Sequence, residues 1–220
     1  AKILYDKGLY RQCERILDKV ADRAASMEAY PIALEVADFR TAIDTLNVSR
    51  DMTIVSDSGR RRTSEICVSV DRVSELSNIS IRVYSLYQQL GYARSRKDMD
   101  LINQYFKPKL EGYAGKVSSF RERFYFYQAC AWYYYIQHNF ALSYRYSRLW
   151  VGLFEANPPM KELLYDDYLR GCAQILEALY LARRHKHFIE RLDYFREEFA
   201  SIEKLNTNAY IIANRILYTN

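Results

Sequence analysis

Short polar turns recur between aromatic-rich stretches of this chain, most clearly at Lys7-Gly8, Asn47-Val48, Lys97-Asp98, His138-Asn139 and Lys186-His187. Their spacing of about 40 to 50 residues is the range in which a period signals stacked helical hairpins. A hairpin of this kind contacts its neighbours in the stack, and together they bury a continuous core. The period predicts an all-α architecture of about five hairpins.

Only seven glycines and four prolines interrupt the 220 residues, and half of the chain is apolar or aromatic. That is enough to bury a substantial core, and long segments lack the alternation of strands. Lys and Arg outnumber Asp and Glu by 32 to 27, a formal charge of +5. So mild an excess permits nucleic-acid binding without requiring it. Cys13, Cys67, Cys130 and Cys172 stand far apart with no CxxC pair, which argues against a disulfide framework and for thiols that act as small hydrophobes. No apolar run approaches the roughly 20 residues that span a bilayer, and no signal-peptide pattern is present. The chain opens on Ala1-Lys2-Ile3-Leu4-Tyr5 as though midway along a helix and closes on Ile216-Leu217-Tyr218 in an apolar helical pattern. A piece of a longer protein is expected, its residues 1–220 forming a single helical-repeat domain whose ends are covered by further helices or a partner.

Apolar spacing places helices along most of the chain. Leu9, Cys13, Ile16, Leu17 and Val20 form a stripe on a helix from Leu9 to about Ala25. Ile32, Val36, Phe39 and Ile43 form one from Glu28 to Leu46, with Pro31 tolerated in its first turn. Residues 49 to 62 read as polar and ambiguous before helical spacing resumes at Ile66, Val70, Val73 and Leu76. Asn78 is an expected N-cap opening a new helix, the alternative being one long helix through the region. A further helix is expected from Asp98 to about Tyr113, carrying Leu101, Ile102, Tyr105 and Phe106, although Pro108 should kink it or end it early. The stretch from Ser118 to His138 is apolar all round and reads as a central helix, with Phe140 to Glu155 as its return arm. Asn157-Pro158-Pro159 is an expected stop, after which Glu162 to Arg183, Phe188 to Ile202 and Asn206 to Tyr218 read as helices.

Leu4-Tyr5-Asp6-Lys7-Gly8-Leu9-Tyr10, followed by Cys13, Leu17 and Val20, resembles the tetratricopeptide repeat: a helix end, a glycine turn, an aromatic, then apolar positions of alternating size. Phe140 and Phe188 share the aromatic after the turn, but those turns lack the glycine, and the helices run longer than the family's unit of about 34 residues. The resemblance is close over one partial repeat and loose elsewhere. It implies a TPR-like α-solenoid, a right-handed superhelix of antiparallel helical hairpins whose inner groove binds a peptide or protein segment.

A tyrosine offers a rigid ring and one hydroxyl at low entropic cost, which suits a binding surface. Tyr84, Tyr87, Tyr127, Tyr134 and Tyr168 are the groove candidates, against the plainer reading that such rings pack helix on helix. Arg94, Arg96 and Lys97 share a turn position with Arg183, Arg184 and Lys186, and equivalent turns of a solenoid form one edge, so a basic rim is expected. Charged turns are commonly just solvated, and the run Arg60-Arg61-Arg62 reads the same way. His185 and His187, with His138 one hairpin earlier, lack further ligands at fitting spacing, so no metal is expected. Asp166-Asp167 and Glu197-Glu198 have no catalytic context, and the triplets Asn47-Val48-Ser49 and Asn78-Ile79-Ser80 are short enough to arise by chance.

No phosphate-cradling glycine loop, GxSxG elbow or HExxH helix occurs. The expected function is therefore non-catalytic and cofactor-free: a scaffold or sensory module of a regulatory protein that binds a protein or peptide. The alternative is a helical repeat that binds nucleic acid through the basic edge. Unpaired cysteines make the cytoplasm the expected compartment, with the periplasm as the alternative if a preceding segment carries a signal.

Overall fold

The computed structural model describes residues 1–46, 52–93 and 95–200. All regular structure among them is helical: α1 (Lys2–Asp6), α2 (Tyr10–Ser26), α3 (Tyr30–Thr45), α4 (Met52–Leu90), α5 (Arg96–Tyr113), α6 (Phe120–Ile136), α7 (Phe140–Glu155), α8 (Pro158–Leu163), α9 (Tyr165–Leu181) and α10 (His185–Ala200). Helix contacts divide the chain into two compact units, Ala1–Ser74 and Glu75–Asn220. The turn expected at Asn47-Val48, residue Arg94 and the helix expected from Asn206 lie outside the described residues. No helix among the described residues is long and apolar enough to cross a membrane.

Four of the turns share one backbone device. After α1, the Gly8 N–H donates to the Tyr5 carbonyl and the Leu9 N–H to that of Leu4, both at 2.9 Å. Gly8 takes the left-handed φ of +72° that this helix ending requires. The same pair of bonds closes α2 at Glu28, α6 at His138 and α9 at Arg183, with φ of +48°, +59° and +54°. The repeated turn is thus built with side chains that disfavour the left-handed region, and this is why glycine does not mark it. Two turns fall elsewhere than the polar pairs suggested. Lys97-Asp98 lies in the first turn of α5, where Ser95 and Asp98 form a reciprocal cap, and Lys186-His187 lies in the first turn of α10.

In the first unit, α2 and α3 pack around Cys13, Leu17, Val36 and Ile43, with Tyr5 and Phe39 against them. Arg40 pairs with Asp18 at 2.5 Å. The buried stripe is narrower than expected: Leu9, Ile16, Val20 and Ile32 are exposed, because the contact made by one neighbouring helix is narrower than an i, i+3, i+4 stripe. The ambiguous stretch before Ile66 is helical from Met52. Gly59 sits in it where a Cβ would meet Thr41 Oγ1 at 3.1 Å, and Arg62 reaches Asp44 at 3.7 Å.

In the second unit, partners run antiparallel within each hairpin. Tyr113 bonds Glu75 and Arg82 bonds Tyr105 between α5 and α4. Phe124 meets Phe154, and Tyr135 meets Phe140, between α6 and α7. Tyr168 bonds Glu198, and Tyr180 meets Phe188, between α9 and α10. The core includes Trp150, Tyr135, Tyr168, Phe124 and Phe154, each fully buried.

Three expected boundaries are corrected. No new helix opens at Asn78: α4 continues through it, because Leu76, Ile79 and Val83 keep one buried stripe and no proline or glycine interrupts them. Pro108 does not end α5. It lacks the N–H that Gln104's carbonyl would accept, but Gln104 is exposed to water and the buried Leu110 anchors the last turn. After α7 stops at Glu155, Pro158 and Pro159 open the short helix α8, since a first turn needs no proline N–H. Leu164 (φ −121°, ψ 43°) then delays α9 to Tyr165.

Candidate functional site

Helices α4, α6 and α9 run parallel and are joined by side chains in constant register. Ser80 Oγ donates to Gln128 Oε1 at 2.6 Å, a separation of 48 residues. One turn on, the Tyr84 ring lies 4.4 Å from that of Trp132, whose indole N–H donates to Gln174 Oε1 at 3.1 Å, 42 residues away. In the next turn Tyr135 donates to Glu177 Oε1 at 2.5 Å and Tyr87 reaches the same oxygen at 3.5 Å. The Tyr87 and Tyr135 rings meet edge to face at 5.2 Å. Equal offsets at successive turns mean that the three helices present matching stripes, spaced i, i+4, i+7 on α4 and α6.

The chemistry of this face is set by its polar tips. Burial, and then the bond to Glu177, push the Tyr135 phenol well above its ordinary value, so it serves as a donor and not as a base. Tyr92 approaches the same hydroxyl at 3.0 Å, while its ring stacks on His138 at 4.7 Å. Gln174 is 6% exposed; its carbonyl oxygen is used by Trp132, but its amide nitrogen is buried with no acceptor among the described residues. Toward the start of the same α9 stripe, burial raises the Asp167 carboxyl, while Arg170 at 3.8 Å and Arg121 of α6 act in the opposite sense. The Tyr84 ring is 39% exposed, the most open aromatic of the ladder.

The five expected groove tyrosines occupy three places. Tyr84 and Tyr87 belong to this ladder. Tyr127 and Tyr134 lie on another stripe of α6, half-buried beside Tyr146 of α7, with Tyr134 and Tyr146 stacked at 5.6 Å. Tyr168 is fully buried, its hydroxyl 2.6 Å from Glu198 and the Lys161 ammonium 4.1 Å over its ring. It closes the α9–α10 core and cannot line a groove, because the spacing that made it a candidate is the core stripe of α9. Gln128, Trp132, Tyr135, Gln174 and Glu177 escaped the sequence reading. Aligning the three helices at offsets of 48 and 42 residues would have found them.

Arg96, Lys97, Arg183, Arg184 and Lys186 of the expected rim are all exposed. Arg96 and Lys97 stand in the first turn of α5, Arg183 and Arg184 form the α9–α10 turn, and Lys186 stands in the first turn of α10. Arg60 and Arg61 are exposed on α4, whereas Arg62 is tied to Asp44 and Ser58. His185 and His187 are exposed, and no cluster of three or more His, Cys, Asp or Glu among the described residues could hold a metal ion. Cys13, Cys130 and Cys172 are buried and Cys67 is exposed; desolvation raises the Cys130 and Cys172 thiols. Ser80 of the second glycosylation triplet is fully buried inside α4. No family model, curated protein or solved structure matches this chain, so the geometry of the three-helix face is what bears on its function.

Proposed function

We propose that this chain is a non-catalytic protein-interaction module, a TPR-like stack of hairpins within a regulatory protein, that holds a peptide segment on the α4–α6–α9 face. The observation that carries this reading is the register-matched ladder whose one open aromatic, Tyr84, lies against Trp132. Gln174 holds the Trp132 indole from below and so fixes the platform on which Tyr84 is presented to a peptide. Tyr84 supplies a ring for an apolar or aromatic side chain, and Arg121 and Arg170 supply charge near the other end of the stripe. Tyrosine and arginine are the residue types that dominate recognition surfaces.

Panning a random peptide library against the immobilised chain tests this. Enriched peptides should bind Tyr84→Ala and Gln174→Leu variants at least about tenfold more weakly, a loss of about 1.4 kcal/mol. Equal binding to both variants would reject the face.

A second reading, nucleic-acid binding along the basic edge, is favoured by one feature. Arg96, Lys97 and Lys186 stand in first turns of helices, where the helix dipole disfavours cations. Binding of this kind would fall steeply with salt as counterions are released.

A further inference from the structure

A second stripe of α4, distinct from Ser80, Tyr84 and Tyr87, faces α5 across an open trough of about 570 Å³. Leu86, Ile102 and Phe106 form its floor and Leu101 and Tyr105 its wall. Leu101 is 68% exposed and Tyr105 38%. On α4 the lining spans the eight residues from Arg82 to Gln89, about 10 Å of helix.

The trough is apolar below and cationic at one side. Arg82 donates to the Tyr105 hydroxyl, and the Lys109 ammonium sits 4.2 Å over the Tyr105 ring. Both cations hold the phenol below its ordinary value. No carboxylate is among the described residues that line the trough, and Lys107 on the same helix is paired with Glu111 at 3.9 Å. An open groove two turns long suits a helix that inserts side chains at i, i+3 or i+4, and i+7. Cations on its rim select a helix whose flanks are acidic.

We propose that this trough docks an acidic amphipathic helix of a partner polypeptide, with leucine-like side chains on Leu86, Ile102 and Phe106 and carboxylates toward Arg82 and Lys109. This site is independent of the α4–α6–α9 face, and the test keeps the two apart.

Two synthetic helical peptides of about 18 residues, long enough to be helical in isolation, share one leucine stripe and differ in carrying Glu or Lys on its flanks. Fluorescence anisotropy follows their binding to the whole chain. The Glu peptide should bind at least about tenfold more tightly than the Lys peptide, since like charges repel across the rim. Leu101→Asp, at an exposed position that leaves the helical circular dichroism intact, should abolish binding of the Glu peptide. Arg82→Gln should weaken the Glu peptide about three- to tenfold and spare the Lys peptide. Tyr84→Ala should change neither, whatever its effect on panned peptides. Equal binding of both peptides, binding that survives Leu101→Asp, or absence of binding overturns the proposal. So does self-association of the chain that Leu101→Asp removes, which would assign the trough to a second copy. Competition by phosphatidylserine vesicles in place of the Glu peptide would assign it to a lipid surface and equally overturn it.

Discussion

The two units are built from similar helices but hold them together differently. In the first, α2 offers one narrow stripe, and its core is centred on small and medium apolar side chains, Cys13, Leu17, Val36 and Ile43. In the second, α6 is surrounded, and Phe124, Trp132, Tyr133, Tyr135 and Ile136 are buried on several sides of one helix. A buried aliphatic asks only for close contact, whereas a buried tyrosine or tryptophan also brings a donor that must be satisfied. The second unit answers for three such donors with Gln174, Glu177 and Asn103, which accept from Trp132, Tyr135 and Tyr133, while the Trp150 indole N–H has no acceptor among the described residues. Its polar ladder is therefore a consequence of burying aromatics, and the same ladder supplies the groups through which a peptide could be read.

The difference is tested most strongly by truncation. Trp150 is fully buried against Phe124, Trp132 and Gly171, so Trp150→Ala should destabilise the second unit by about 3–5 kcal/mol. Leu17→Ala should cost nearer the low end of the Leu→Ala range, about 2–3 kcal/mol, because its small core beside exposed Ile16 and Val20 can collapse around it. Hydrogen exchange read by peptide would show faster exchange in α6, α7 and α9 for the first variant and in α2 and α3 for the second. Equal losses in the two variants would remove the distinction.

A glycine pair sharpens the same point at smaller scale. A Cβ on Gly171 would lie 2.9 Å from Val151 and 3.1 Å from the Trp150 ring, and both side chains are buried and cannot move aside. Gly152, one helix away, has nothing within 4 Å. Gly171→Ala should lose about 1 kcal/mol, overpacking outweighing the gain in helix propensity, while Gly152→Ala should gain up to about 1 kcal/mol. Urea unfolding of the two variants distinguishes these signs, and a stabilised Gly171→Ala would show that α7 and α9 are not in tight contact.

How much of this was legible follows from what each residue had to signal. The all-helical class and the central, largely buried α6 could be read because their signal is apolar periodicity, which survives without knowledge of neighbours. The continuity of α4 through Asn78 could not, since a good capping residue looks the same in mid-helix when buried Leu76 and Ile79 override it. Tyr168 carried the same identity and spacing as Tyr84, and only the placement of α10 over it decides that one is core and the other open. The ladder was recorded in the sequence as offsets of 48 and 42 residues between Ser80 and Gln128 and between Trp132 and Gln174. Those offsets acquire meaning only once the parallel helices are known.

The smallest effect bears on the turns, where the two units are alike. Both close hairpins with non-glycine residues in the left-handed region, Glu28 in the first and His138 and Arg183 in the second, and both also place glycines there, Gly8 in the first and Gly91 and Gly115 in the second. A non-glycine side chain there costs about 1 kcal/mol, so Arg183→Gly should stabilise the second unit by that amount, read as a higher urea midpoint. His138→Gly should gain less, because it also removes the ring stacked on Tyr92 at 4.7 Å. Arg183 is also part of the exposed basic edge, so its retention against the backbone preference has a functional test. If the edge binds nucleic acid, Arg183→Gly should be more stable yet bind a labelled oligonucleotide more weakly, with a shallower salt dependence by about one phosphate contact. If stability rises and no oligonucleotide binding exists to be lost, Arg183 is a strained turn residue without a role in recognition, and the proposal of a peptide on the α4–α6–α9 face stands without its competitor.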